Sequence, residues 1–103
     1  MSNKVFVFQS DIFKALAHPA RVKILQLLKN GERCVCEIVP ALEMEQPGVS
    51  RHLSILRKEG ILSCRKDGLK VIYRVNDPRV FELLNLSTEM LRTHWEKRRK
   101  VLA

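Results

Sequence analysis

Apolar residues recur along this chain with two different periods. Between Glu45 and Gly60, Val49, Leu53 and Leu56 fall at i, i+4 and i+7, one stripe of a helix, while Pro47, Ser50, Arg51, Ser54 and Lys58 fall on the opposite side. Pro47 is tolerated in a first helical turn, and Gly60 supplies a left-handed residue of the kind that ends helices. Upstream, Val5 to Phe8, Ile12, Phe13 and Leu16 make an apolar N-terminal segment, with Ser10 as the N-cap of a short helix over Asp11 to Ala17. His18-Pro19 breaks the pattern, and Pro19 opens a helix over Ala20 to Lys29 with Ile24, Leu25 and Leu28 inward, closed by Asn30-Gly31. Glu32 to Met44 predicts the next helix, with Val35, Ile38, Val39 and Leu42 inward. Pro40 clashes with the carbonyl of Cys36 four residues back, so that helix is either kinked or regular only from about Glu37.

Beyond Gly60 the period drops to two. Leu62 and Cys64 share a face, which places Cys64 as a buried structural cysteine. Lys66-Asp67-Gly68-Leu69 carries an Asp-Gly turn signal, and Val71, Tyr73 and Val75 alternate with Lys70, Ile72 and Arg74, a β-hairpin with a basic tip. Asn76 or Asp77 then caps a last helix with Pro78 in its first turn. In that helix Val80, Leu83, Leu84, Ser87, Met90, Leu91, His94 and Trp95 recur at three- and four-residue spacing, and Phe81 and Leu86 widen the arc. This is more apolar surface than one small domain covers. Phe8, Ile12 and Phe13 of the first segment, with Leu83, Leu84, Met90, Leu91 and Trp95 of the last helix, therefore predict a homodimer interface.

The pattern defines a mostly α fold with a small β-hairpin, an α+β class. Two short helices joined by a few residues, the second cationic on its free face, make a helix-turn-helix, and a hairpin beside it makes a wing. The free face of the second helix carries no carboxylate. Its hydroxyl and guanidinium groups suit phosphate oxygens and base edges, as a DNA recognition helix requires. Arg65, Lys66 and Lys70 of the wing either reach backbone phosphates or form a solvated turn.

The 103 residues predict a single domain, 1–103, without internal repeats. Lys and Arg number 19 against 11 Asp and Glu, a formal charge of +8 that favours an anionic partner such as nucleic acid or marks a merely basic soluble protein. The Lys97 to Lys100 run is a solvated tail or adds to that attraction. No apolar run approaches the roughly 18 residues of a membrane span, and Met1 to Lys4 leads into only four apolar residues, so a soluble, cytoplasmic protein is expected. Three cysteines, an odd count, speak against a secreted disulfide framework and leave metal binding, redox chemistry or burial. An enzyme is not expected. A thiol oxidoreductase wants Cys-x-x-Cys in a βαβ setting, whereas Cys34 and Cys36 are two apart, and neither a Gly-rich phosphate loop nor a nucleophile with a base partner is present.

Four blocks carry a resemblance: Leu16-Ala17-His18-Pro19-Ala20-Arg21-Val22-Lys23-Ile24-Leu25, Cys34-Val35-Cys36-Glu37-Ile38, Gln46-Pro47-Gly48-Val49-Ser50-Arg51-His52-Leu53, and the wing through Gly68, Val71, Tyr73 and Arg74. Together the blocks resemble the ArsR/SmtB winged-helix repressors, transcription factors that release DNA when a metal or other inducer binds. The resemblance implies a homodimer through the first and last helices, with two recognition helices in successive major grooves about 34 Å apart. It assigns DNA reading to Gln46, Ser50, Arg51, His52 and Ser54, and phosphate contacts to Arg57, Lys58, Arg65, Lys66 and Lys70. His52 lies on the flank of its helix, where packing against a neighbour competes with a DNA contact. Glu45 departs from the family, which often has Ser there, and repels phosphate unless it serves as a helix cap.

Cys34 and Cys36 stand where arsenic-, cadmium- and lead-responsive members resemble one another in carrying Cys-Val-Cys, and so become the metal ligands implied. Residues i and i+2 point to different sides of a helix but the same side of an extended segment, so one ion is gripped only if the helix start is unwound. Arsenite prefers three sulfurs, but Val39 stands where related sensors have a third cysteine, so a small thiol, a partner protomer or a two-sulfur complex completes the shell. The family's zinc site in the last helix is absent: His94 is followed three residues on by Lys97, and Phe81 and Leu83 stand upstream. The expected function is an operator-binding repressor released by a thiophilic metalloid or metal, arsenite first. The alternatives are the same repressor responding to oxidants or reactive sulfur through disulfide or polysulfide chemistry, a regulator without cysteine signalling, and a protein-interaction module without DNA.

Overall fold

Most of the helical periodicity becomes helix in the computed structural model, which describes the backbone of residues 2–102 and side chains as far as residue 97. The order is α1 (Asn3–Leu16), α2 (Pro19–Leu27), β1 (Arg33–Cys34), α3 (Val35–Leu42), α4 (Gln46–Lys58), β2 (Leu62–Asp67), β3 (Lys70–Val75) and α5 (Arg79–Leu102). The antiparallel sheet runs β1-β3-β2, with Cys34 opposite Ile72, and Cys64 opposite Tyr73. Mostly helical, with a winged helix-turn-helix at its centre, this is the expected fold class.

The boundaries differ in instructive ways. α1 begins eight residues before the expected Asp11, and Ser10 is no cap but an interior residue whose hydroxyl donates to the Val7 carbonyl at 2.7 Å. Serine satisfies itself this way inside helices as well as at their ends. α2 starts as expected at Pro19, and its N-cap is His18, whose Nδ1 accepts the Ala20 N–H at 3.0 Å. The expected helix over Glu32 to Met44 is shorter. Arg33 and Cys34 pair with β3 first, and Cys34 then caps α3, accepting the Cys36 N–H on its sulfur while its own N–H donates to the Glu37 carboxylate at 3.3 Å. α3 thus starts two residues before Glu37 and carries Pro40 inside it.

Glu43, in left-handed backbone at φ 54°, turns the chain from α3 into α4. Glu45 occupies the N-cap position of α4, but its carboxylate makes no capping bond. Gly60, at φ 80°, ends the helix as expected. Asp77 caps α5, accepting the Arg79 N–H at 3.0 Å, while the Asn76 amide donates to the Gly60 carbonyl and holds the start of α5 to the end of α4.

One core lies where these elements meet. Ile24 and Leu25 of α2, Ile38 of α3, Val49, Leu53 and Leu56 of α4, and Leu62 of β2 are almost completely removed from water. Leu84, expected at the dimer interface, is buried in this same core instead, because it lies one residue round the helix from the exposed Leu83. Cys64 is exposed, not buried. Its strand is an edge strand that runs out past the helices, whereas its neighbour Tyr73 sits on the central strand and is buried. Among the described residues no helix is long and apolar enough to cross a membrane.

Truncating Leu53 removes a side chain that α2, α3 and the sheet close around. Leu53→Ala is expected to lower stability by about 2–5 kcal/mol, read as a cooperative loss in chemical or thermal unfolding.

Candidate nucleic-acid interface and cysteine pair

The buried stripe of α4 decides which of its side chains face out. Gln46, Ser50, Arg51, Arg57 and Lys58 are exposed and Ser54 is half-buried, so six of the expected DNA-facing residues share the free surface of one helix. Lys66 and Lys70 are exposed on the two strands of the wing, opposite each other's neighbours. The wing turn is Gly68-Leu69, and Leu69 is fully exposed at its tip, an apolar residue that the basic tip expected from the sequence does not include.

Two of the expected DNA-contact residues make contacts within the protein. Arg65 turns back toward the body of the protein, where its guanidinium meets both carboxylate oxygens of Glu32. Their hydrogen bond lowers the Glu32 carboxyl and raises the Arg65 guanidinium from their ordinary pKa values. Both groups are solvent-exposed, so the pair orients Arg65 more than it stabilises the fold. His52 is 8% exposed and faces inward. Its Nδ1 accepts from Arg21 Nε at 3.1 Å, which fixes the neutral tautomer with its proton on Nε2, and its ring lies 4.2 Å from that of His18. Of the two roles open to a flank residue, packing is the one the geometry realises.

Cys34 and Cys36 are brought together. Cys34 is extended and Cys36 is in the first turn of α3, so the change of backbone between them points both sulfurs the same way, and a disulfide joins them across a Cα separation of 5.1 Å. Cys34 is buried and Cys36 exposed. They open onto a cleft of about 490 Å³ whose walls include Val39 and Pro40 of α3, Gln46 and Ser50 of α4, and Lys70 and Val71 of the wing. The cysteine pair and the helix-turn-helix reading face therefore share one groove. Cys64 lies on β2, at the opposite edge of the sheet from Cys34, with β3 between them. Among the described residues no group of three or more His, Cys, Asp or Glu is arranged to hold a metal ion. The donor set offers two sulfurs.

The family model for bacterial regulatory proteins of the arsR family matches residues 18–63, which run from the cap of α2 to the start of β2. An HTH-type transcriptional regulator of Methanocaldococcus jannaschii is 45% identical over 82 residues, 79% of this chain and 92% of that protein. This chain belongs to the arsR family. As in the rest of that family, it is a DNA-binding transcriptional regulator and not an enzyme. The arsenical resistance operon repressor of Escherichia coli is 44% identical over 72 residues, 69% of this chain and 62% of that protein. The solution structure of a homodimeric winged helix-turn-helix DNA-binding domain from Mycobacterium bovis superposes with a TM-score of 0.81 at 30% identity, covering 94% of this chain and 93% of that one. The arsR-family match lies on the helix-turn-helix and the cysteine pair, whereas α1, most of the wing and α5 lie outside it.

Sequence reasoning missed the Arg21–His52 bond and the His18 cap. The signal was present as His18-Pro19, a cap residue before a helix-opening proline, but the partner of Arg21 is 31 residues away. His52 titrates below the ordinary imidazole range, first because burial disfavours the cation and then because His18, Arg21 and Arg51 are close. The unfolded chain thus takes up the proton more readily than the folded one. Stability on this account is full above the unfolded value of 6.5 and is lost as pH falls from there through the lower folded value. Thermal unfolding is expected to show a lower midpoint near pH 5 than near pH 7.5, with a shallower dependence in His52→Asn.

Proposed function

We propose that this arsR-family protein is a homodimeric, cytoplasmic repressor that binds palindromic operator DNA and is released when a thiophilic metalloid, arsenite first, is captured by Cys34 and Cys36. The observation that carries the proposal is the pairing of these two sulfurs in a groove walled by Gln46, Ser50 and Lys70. Reduced, the pair condenses with arsenous acid, each thiol giving up its proton as one As–OH leaves as water and one As–S bond forms. Two sulfurs fit such a two-coordinate grip, and a solvent or thiol ligand takes the third position.

Capture has a direct route to the DNA-binding surface. The Cys34 sulfur holds the Cys36 N–H in the cap of α3, and α3 packs against α4. Placing an arsenic atom between the sulfurs spreads them from their positions in the disulfide and so loosens that cap and the first turn of α3. It also places new bulk beside Gln46 and Ser50. Both effects favour a state in which α4 no longer fits the operator.

Gln46, Ser50, Arg51 and Ser54 read base edges, and Arg57, Lys58, Lys66 and Lys70 neutralise phosphates. Dimerisation uses the apolar surface that the protomer leaves uncovered: Phe8, Ile12 and Phe13 of α1, and Leu83, Met90, Leu91 and Trp95 of α5, are all exposed, as are Phe6, Val7 and Leu86. A largely apolar cleft of about 460 Å³, walled by Ile12, Ile61, Val80, Leu83 and Leu86, offers a partner helix a seat. The homodimeric state of the Mycobacterium bovis domain supports a dimer.

The disulfide between Cys34 and Cys36 favours a second reading, in which loss of two electrons and two protons to an oxidant, or insertion of sulfane sulfur, is the signal. Fluorescence anisotropy of reduced protein on DNA from its own upstream region separates the two. Micromolar arsenite is expected to release the DNA, and Cys34→Ser and Cys36→Ser each to abolish release while leaving DNA affinity intact. Release by peroxide or polysulfide alone would sink the metalloid reading in favour of the second. In the same assay Lys70→Ala is expected to weaken binding to all duplexes about equally and to reduce the slope of log affinity against log salt by about one.

A further inference from the structure

A single guanidinium ties three helices together. Arg21 projects from α2; its Nη1 donates to the carbonyls of Lys14 and Ala15 in the last turn of α1, 3.2 Å each, and its Nε donates to His52 Nδ1 on α4 at 3.1 Å. Those α1 carbonyls belong to the group that a helix leaves without intrahelical partners, and a cation there also meets the negative end of the helix dipole. On the far side the His18 ring backs the His52 ring, and His18 is itself fixed by its bond to the Ala20 N–H. Apart from this, α4 is held by the apolar stripe of Val49, Leu53 and Leu56. Apolar contact is non-directional and tolerates small rotations about the helix axis, whereas a forked set of N–H bonds does not.

We propose that Arg21 is a positioning residue for operator recognition: through His52 it fixes the angle between α4 and α1, and so sets the separation of the two recognition helices in the dimer. The proposal rests on the dimeric, operator-binding reading above. α1 supplies part of the subunit interface and α4 supplies the reading face, so an error in the angle between them is doubled by the two-fold axis. Two half-sites about one helical turn apart leave little tolerance for that error, because one base pair shifts a half-site by about 3.4 Å and turns it round the DNA axis. The Nε and Nη1 donors of Arg21 are directed to protein acceptors, so its role runs through α1 and α4.

Two variants test this. Arg21→Met keeps the length of the stem and removes the donors, and Arg21→Lys keeps the charge but lacks the fork. Each is compared with wild type on a palindromic duplex selected by the wild-type protein from a randomised pool, and on versions with the half-sites one or two base pairs closer or farther apart. Oligomeric mass, thermal unfolding and salt slope are measured alongside. Wild type is expected to prefer the selected spacing by about tenfold or more. Both variants, folded and dimeric, are expected to bind all spacings within about threefold of one another with an unchanged salt slope. A folded, dimeric Arg21→Met with the wild-type spacing preference overturns the proposal, and Arg21→Lys decides alone if the Met variant does not fold. A wild-type protein that is monomeric or indifferent to spacing overturns the dimeric reading and this proposal together.

Discussion

Everything at the DNA-binding surface depends on one packing constraint, the burial of Val49, Leu53 and Leu56 along a single line of α4. Once that stripe is fixed against Ile24, Leu25, Ile38 and Leu42, the opposite side of the helix faces outward, whatever small rotations the apolar contacts still allow. Recognition chemistry is therefore a by-product of core formation. The residues that touch an operator need contribute little to stability, and can vary with the operator, because the other face of the same helix holds the fold.

The proposed signalling chemistry sits on the same logic from the opposite side. Cys34 closes β1 and caps α3, so it belongs to the sheet and to the first helix of the DNA-binding pair at once. A residue that ends one element and starts another is held by few bonds of either, and these are its pairing with Ile72 and its capping contacts with Cys36 and Glu37. Chemistry at its sulfur needs to overcome only that local set, not the core, to be felt at α4.

Much of this was legible in the sequence. The α4 stripe, the Pro19 and Gly60 boundaries, the hairpin at Asp67-Gly68 and the apolar excess of the two terminal helices all follow from short-range rules, and each is local in the chain. What escaped is non-local. β1 is only two residues long, too short to show a period, and exists because Tyr73 and Ile72 lie beside it. Cys64 shares a period with Leu62 but not its cover, since exposure on an edge strand depends on where the helices stop. Arg65 looks like a free cation until Glu32, far off in sequence, folds back beside it, and His52 is indistinguishable from an outward residue until Arg21 is in place. Ser10 is the opposite case: it is a good cap residue by type, but the helix has already begun seven residues upstream.

The far half of α5 has a consequence for how the molecule behaves at low abundance. Beyond Leu84 every described residue of this helix is exposed, so that stretch is sustained mainly by hydrogen bonds within the helix itself. Isolated helices of such length are marginal in water. In a protein whose partner supplies the missing contacts, order in this segment becomes a function of concentration, and folding and assembly cease to be separate equilibria. A cell holding few copies would then keep part of its pool with a frayed terminal helix, exposed to proteases, so the number of functional regulators would rise more steeply than the number of chains made.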